Sequence, residues 1–141
     1  MRRGVTLLEL ALVLAVTGIL FCIALPSLQR VVDELAVHNA SLGIVSAHRR
    51  ARMSAILQSR SLELTVSADS LVIRVPGAPS NLWHAPGPSA EGVILQGPPH
   101  TMTFSPVGLT MGVSNVTFRL TRASATQAVV VSRLGRTRLT P

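Results

Sequence analysis

The sequence has little of what a reactive or metal-binding site needs. Among its 141 residues it contains one cysteine, Cys22, so no internal disulfide can form, and four scattered histidines give no metal-ligand spacing. None of the six acidic residues forms a convincing pair with a His, Ser or Cys, and a phosphate-binding loop is absent. Disulfide frameworks and zinc modules are therefore excluded, and we expect neither an enzyme nor a bound cofactor.

Charged and aromatic residues are also scarce. Charged residues make up 13% of the chain and aromatic residues 3%, against 48% hydrophobic residues and a mean hydropathy of +0.46. This average is too apolar for a typical soluble protein or a disordered one, and 14.9 kDa is the size of a single domain. Lysine and tyrosine are absent, so all thirteen basic residues are arginines, and the formal net charge is +7. We infer that part of the chain contacts lipid.

The apolar residues are concentrated near the N terminus. Residues 5–25 form a run of 21 residues, and as a helix rising about 1.5 Å per residue this run would be about 31 Å long. That length is sufficient to cross the ~30 Å hydrocarbon core of a bilayer. Arg2 and Arg3 precede it, so the positive-inside rule places this end in the cytoplasm and the remaining chain across the membrane. No small-residue cleavage pattern follows the run, so we expect the helix to be retained.

One carboxylate, Glu9, interrupts this run, and a charge in an apolar span is unfavourable without a partner. A local explanation is a capping box, with Thr6 as N-cap and Glu9 reaching back to its N–H. A second explanation comes from a resemblance. The segment from Arg3 to Leu10, followed by the apolar helix and then Pro26, resembles the class III signal of type IV pilins and pseudopilins.

This resemblance implies a specific maturation. Prepilin peptidase would cleave between Gly4 and Val5, releasing residues 1–4 as a leader, and the new amine of Val5 would be methylated. Glu9 would then support assembly by pairing with the N terminus of a neighbouring subunit, which gives the buried charge a partner. Pro26 falls where such pilins have a helix-bending proline.

Helical periodicity continues after the span, so residues 26–60 are interpreted as an amphipathic continuation of the helix to about Ser59. Its opposite face, including the run from His48 to Arg52, is expected to be solvated. The apolar stripe predicted to pack on a core consists of Leu28, Val31, Val32, Leu35, Leu42, Val45, Met53 and Ile56.

The rest of the chain, residues 61–141, has the pattern of a β-sheet domain. Short β-type runs alternate with turn formers, which predicts an antiparallel sheet. Residues 76–100 hold six of the nine prolines and four of the ten glycines, so this segment is predicted to be a long loop, with Trp83 anchored on the sheet. The predicted strands are 62–67, 71–75, 93–96, 101–105, 116–121 and 127–133. A long helix packed on such a sheet is an α+β, pilin-like fold.

Three C-terminal segments narrow the resemblance. Residues 102–108, 116–120 and 129–138 resemble the GspH/FimT family of minor pilins and pseudopilins. The resemblance implies a structural subunit of a type II secretion system or a type IV pilus, with prepilin peptidase and other pilins as partners. It also implies a single-pass protein of the bacterial inner membrane with a periplasmic globular domain. A plain signal-anchored domain would explain the span but not Gly4, Glu9 and Pro26 together.

The C-terminal arginines suggest an alternative function. Residues 92–141 contain five arginines and no acidic residue, which favours a polyanionic partner. In FimT-like minor pilins a G-R-x-R element binds DNA during uptake, and residues 135–138 resemble it, which implies DNA contacts by Arg133, Arg136 and Arg138. Few aromatic residues are available for base stacking, so duplex DNA would be bound through its backbone. The arginines could instead protect a sheet edge or contact neighbouring subunits.

Overall fold

The computed structural model describes residues 6–112, 115–132 and 134–141, with the backbone alone at 23 and 24. Within these residues the chain forms one long helix, nine short strands and a 3-10 helix (Pro88–Glu91). The helix is α1 (Leu7–Leu57), and the strands are β1 (Leu62–Val66), β2 (Ser70–Arg74), β3 (Asn81–Pro86), β4 (Ile94–Gln96), β5 (His100–Phe104), β6 (Thr110–Met111), β7 (Val116–Arg122), β8 (Ala125–Val131) and β9 (Thr137–Thr140).

The chain divides into two compact units between Val32 and Asp33. The first unit is the N-terminal part of α1, which is long and apolar enough to cross a membrane by length and composition. Thr6 caps this helix, because its Oγ1 accepts a hydrogen bond from the backbone N–H of Glu9 at 3.2 Å. Pro26 lies inside the helix and has no N–H, so the regular bond to the carbonyl of residue 22 is absent.

The second unit contains two antiparallel sheets together with the rest of α1. One sheet has the strand order β3-β2-β1-β5-β6, and the other has the order β4-β7-β8-β9. The predicted α+β class with antiparallel pairing is therefore confirmed, although we predicted a single sheet. Leu62 and Leu64 of β1 and Phe104 of β5 are fully buried, and burying each such side chain contributes about 1.5–3 kcal/mol.

The prediction of a long loop at residues 76–100 is wrong, although β4 in this segment matches the strand predicted at 93–96. This segment contains β3, the 3-10 helix and β4, and β3 pairs with β2 so that Trp83 lies opposite Ile73. The prolines misled the prediction because they stand at the boundaries of these elements, where the loss of an N–H does no harm. Pro86 is the last residue of β3, and Pro88 is the first of the 3-10 helix. Trp83 packs against the core, as predicted.

The predicted buried face of α1 is also wrong. Of the predicted apolar stripe Val45 alone is buried, whereas Leu35 is 57% exposed and Met53 is 55% exposed. The buried face consists mainly of small residues, which let a helix and a sheet approach closely: Ala36, Val37, Ala40, Ser41, Ile44, Val45, Ala47, His48, Ala51 and Ala55. The large apolar side chains that remain exposed on α1 within the second unit are called the outer apolar face, which comprises Leu35, Leu42, Met53, Ile56 and Leu57.

Candidate assembly and nucleic-acid surfaces

Glu9 lies exposed in the first turn of α1. Its backbone N–H is bound by Thr6, but within the described part of the chain its carboxylate makes no hydrogen bond or ion pair, so the reciprocal half of a capping box is not formed. Local capping therefore explains the backbone of Glu9 and leaves its charge without a partner among the residues that the structure describes. The predicted cleavage residues Gly4 and Val5 lie outside the described residues.

The outer apolar face is the second surface of interest. Its members are 39% to 76% exposed, and they lie on α1 opposite the alanines that pack against the sheets. Monomeric soluble proteins seldom expose large contiguous apolar patches, and such patches mark interaction sites. The buried face of α1 carries small side chains and its exposed face carries large apolar ones. The exposed face can therefore pack against further helices.

Two of the predicted DNA-binding arginines, Arg136 and Arg138, lie in the β8–β9 hairpin. Ser132 N–H donates to the Arg136 carbonyl at 2.8 Å, and Gly135 N–H donates to the Ser132 carbonyl at 2.9 Å. Ser132 Oγ also accepts from the backbone N–H of Arg136 at 3.2 Å. Gly135 has φ +71°, a left-handed conformation that favours glycine, and this is the usual geometry of a three-residue hairpin loop with a G1 bulge. The glycine of the G-R-x-R element is thus required by the turn.

Arg136 and Arg138 are both exposed, and no ion pair involves either of them among the residues described. Arg138 lies opposite Val130 in the ladder, on the face of the sheet that points away from the core, and Arg119 on β7 shares this face. Arg133, the third predicted DNA contact, lies outside the described residues.

Arg122 differs from Arg136 and Arg138 because its guanidinium is used in an ion pair. Its Nε lies 2.9 Å from Oδ1 of Asp33 on α1, and its guanidinium also donates to the backbone carbonyl of Glu91. Residues 92–141 contain no acidic residue that could neutralise Arg122 locally, and its partner comes instead from the distant helix. Arg122 is therefore a structural link between β7 and α1.

A second turn, at residues 105–109, has the same hydrogen bonds as the turn at residues 132–136, which was not predicted from the sequence. Ser105 N–H donates to the Leu109 carbonyl at 2.8 Å, Gly108 N–H donates to the Ser105 carbonyl at 2.8 Å, and Ser105 Oγ accepts from Leu109 N–H at 3.1 Å. Gly108 has φ +78°. The signal in the sequence is a Ser-x-x-Gly motif at 105–108 that recurs at 132–135.

Both turns lie against the same part of α1. A Cβ on Gly108 would come within 2.6 Å of Ile56 Cδ1 and 3.3 Å of Arg52 Cγ. A Cβ on Gly135 would lie 3.9 Å from Arg52 Nη1 and from His48 Cε1. The two sheets therefore each contribute one turn beside Arg52, and this arrangement fixes where β9 begins relative to the helix.

His48 is buried beneath these turns rather than solvated. Its ring meets Phe104 edge to face at a centroid distance of 5.0 Å, and Nε2 has no hydrogen-bond partner among the described residues. Burial, and then the charges of Arg52 and Arg49, lower the pKa of His48 to about 4, so the ring is neutral at pH 7. Among the residues that the structure describes, no group of three or more His, Cys, Asp or Glu side chains could hold a metal ion.

Comparison with known proteins gives two matches in sequence. Residues 41–135 match the model of a family described as type II transport protein GspH. The chain is also 32% identical over 161 aligned positions to the pilin-like protein PilA1 of Thermus thermophilus, and the alignment covers 98% of both chains.

Comparison of structures gives a consistent result for the fold. The chain is similar to the type IV minor pilin FimU of Pseudomonas aeruginosa, with a TM-score of 0.62 and 19% identity over 74% of this chain and 88% of that one. A second crystal form of FimU gives a TM-score of 0.58 at 18% identity, covering 74% and 92% of the two chains.

Proposed function

The chain belongs to the GspH family of pilin-like proteins, and from this we propose that it is a minor pilin or pseudopilin that joins a filament after its leader is removed. The observation that carries the proposal is the exposed Glu9 carboxylate, which has no partner among the described residues although it stands at the start of an apolar helix. An isolated charge in such a helix is stable only when a partner of opposite charge is supplied. In an assembled filament a neighbouring subunit supplies that partner.

The proposed maturation produces the required positive charge. Prepilin peptidase cleaves between Gly4 and Val5 and leaves a methylated amine on Val5, which remains cationic. Residues 5–25 span the bacterial inner membrane, and Arg2 and Arg3 keep the leader in the cytoplasm. The amine of one subunit then pairs with Glu9 of the next, while the outer apolar face packs against neighbouring helices. The globular unit lies on the periplasmic side.

Intact-mass measurement of the protein isolated from membranes tests this maturation. We expect a chain that begins at Val5 and carries one added methyl group. Gly4→Leu should prevent cleavage, because a protease must approach the backbone closely and a side chain at this position obstructs it. A wild-type protein that retains Met1 would contradict the proposal.

Binding of duplex DNA is a second candidate function, favoured by the exposure of Arg136 and Arg138. Guanidinium groups bind phosphate in a bidentate manner, and neither side chain is used in an ion pair within the described residues. Contact with the DNA backbone would be insensitive to sequence. It would also weaken with salt, with a log–log slope of about −0.9 for each phosphate neutralised.

A salt series with a duplex oligonucleotide and the full chain in detergent micelles tests this candidate. We expect Arg136→Ala/Arg138→Ala to bind more weakly and to show a shallower salt slope. The matched control is Arg60→Ala/Arg74→Ala, which removes the same charge elsewhere on the surface. Equal losses in the two double variants would indicate a response to net charge alone, and unchanged binding in the first would exclude the G-R-x-R element as the DNA site.

A further inference from the structure

A groove separates β9 from the outer half of α1. Its volume is about 400 Å³, within the range of ~300–1,000 Å³ typical of ligand sites. It is lined by Leu42, Val45, Ser46 and Arg49 of the helix and by Thr137 and Leu139 of the strand. Because Gly135 lies beside His48 and Arg52, the start of β9 is next to Arg49, and Leu42 lies two helical turns earlier on α1.

The strand side of this groove is an open sheet edge. β9 is the last strand in its sheet, with β8 on one side and no other described strand on the other. Ser132 and Arg136 form a hydrogen-bonded pair, and such pairs recur at every second residue of an antiparallel ladder, so Arg138 and Thr140 also face β8. Thr137 and Leu139 therefore direct their N–H and C=O groups away from β8, at the side that borders the groove.

This arrangement matches a known mode of peptide recognition. An extended peptide adds to an exposed sheet edge, main-chain hydrogen bonds provide affinity, and alternate side chains enter an adjoining pocket. The N–H and C=O groups of Thr137 and Leu139 supply the main-chain partners, and Leu42, Val45 and Leu139 supply an apolar lining. The complementary ligand is an extended polypeptide, because no other common ligand presents N–H and C=O groups at the repeat of a strand.

The charge of the groove selects among polypeptides. Arg49 lines the end near the start of β9, is exposed, and has no ion pair among the residues described. A guanidinium in this position favours a carboxylate on the incoming segment. Since the added strand would run antiparallel to β9, its carboxylate would lie towards its C-terminal end.

A second copy of this chain does not fit the groove. Pairing two β9 strands would bring Arg136 and Arg138 of both copies together, and like charges across a strand pair are destabilising. The one acidic residue in a described strand is Glu63, which lies on an interior strand and pairs with Arg74. The chain therefore offers no acidic strand with a free edge in its described part.

We propose that this groove binds an extended, acidic segment of a different filament subunit, which adds to β9 as an antiparallel strand and places a carboxylate side chain on Arg49. The inference rests on the proposed function, since a filament subunit must meet subunits of other sequence. It can nevertheless be tested on the isolated protein, because strand addition does not require assembly. Failure of peptide binding would leave filament assembly untouched, and loss of assembly would leave peptide binding untouched.

The test uses an acetylated ten-residue peptide of alternating valine and threonine that ends in two glutamates, and a counterpart that ends in two lysines. Binding to the full chain in detergent micelles is followed by fluorescence anisotropy and by the amide resonances of residues 137 and 139. We expect the glutamate peptide to bind and to shift both resonances. N-methylation of its strand-facing amides should abolish binding, because the ladder can then not form.

Two variants locate the site, and a third is the control. Arg49→Glu should lower the affinity for the glutamate peptide about tenfold and make the lysine peptide the preferred ligand. Ser46→Trp, a change at an exposed helix position, should fill the groove and abolish binding of both peptides. Arg119→Glu makes the same charge change on the other face of the sheet and should leave binding unchanged.

Three results would overturn the proposal. The first is no binding of the glutamate peptide by the wild-type chain at millimolar concentration. The second is equal affinity of the wild type and Arg49→Glu for that peptide. The third is displacement of the peptide by duplex DNA together with full peptide binding by Ser46→Trp, which would assign this region to nucleic acid rather than to a strand.

Discussion

At the scale of single residues, His48 shows how a polar side chain can be accommodated inside this fold. It is 1% exposed, lies against Phe104 and has Arg49 and Arg52 as charged neighbours on its own helix. From the sheets it is also approached by the backbone of Gly135. The charged groups that act on it among the described residues are both cations, so the neutral form of the ring is favoured.

This environment predicts an acid-dependent loss of stability. The pKa of His48 is about 4 in the folded state and about 6.5 in the unfolded state, so the unfolded chain takes up a proton first as the pH falls. The contribution of the neutral ring is complete above pH 6.5 and is lost between pH 6.5 and 4, by up to about 3 kcal/mol. This contribution is measured by comparing the free energies of unfolding of the wild type and His48→Gln across this pH range. A difference between the two proteins that does not change with pH would contradict the assigned pKa.

At the scale of elements, α1 shows that the size of an apolar side chain does not decide which face of a helix is buried. The alanine face lies against the sheets, and the outer apolar face is exposed. Small residues bring two backbones close together, so each alanine contact buries surface on both partners. A protein interior packed at crystal-like density tolerates little extra volume at such a position.

For two substitutions on α1, the change in the free energy of unfolding should follow the burial of the position. Enlarging a buried side chain should destabilise the protein, and truncating a large exposed one should have little effect. Ala51 is fully buried, so Ala51→Leu should lower the free energy of unfolding by about 1–3 kcal/mol through overpacking. Met53 is 55% exposed, so Met53→Ala should change it by less than about 0.5 kcal/mol. Denaturant unfolding of the two variants compares them. A larger loss for Met53→Ala than for Ala51→Leu would mean that the helix buries its other face.

The elements also show what the sequence could and could not predict. The helix, the α+β class and most strands followed from periodicity, because alternation and helical spacing are local signals. The helix face depended on the shape of the distant sheets, and β3 was hidden by the proline at its end and by the prolines on either side of it. No strand was predicted after residue 133, so β9 and the hairpin that holds Arg136 were missed, and the neutralisation of Arg122 by Asp33 needed two segments far apart in sequence.

At the scale of the whole molecule, the two units have surfaces of different chemistry. The first unit is apolar with a single carboxylate in its first turn, and the second unit carries exposed arginines and an open strand edge. Without residues 1–4 the formal net charge of +7 falls to +5, which still makes free copies repel one another, so an ordered contact between subunits must supply specific attraction. In the function proposed here, pairing of Glu9 with a neighbouring N-terminal amine would supply this attraction in the apolar layer, where screening by salt is weakest.

The most direct test of this account is the incorporation of Glu9→Ala into filaments in the native host, measured by quantifying the protein in sheared filament and membrane fractions. The control is Glu34→Ala, which removes an equal charge from an exposed position further along α1. We predict that Glu9→Ala is cleaved at Gly4 and remains in the membrane, whereas Glu34→Ala enters filaments as the wild type does. Incorporation of Glu9→Ala at the wild-type level would contradict the central role of this carboxylate in assembly.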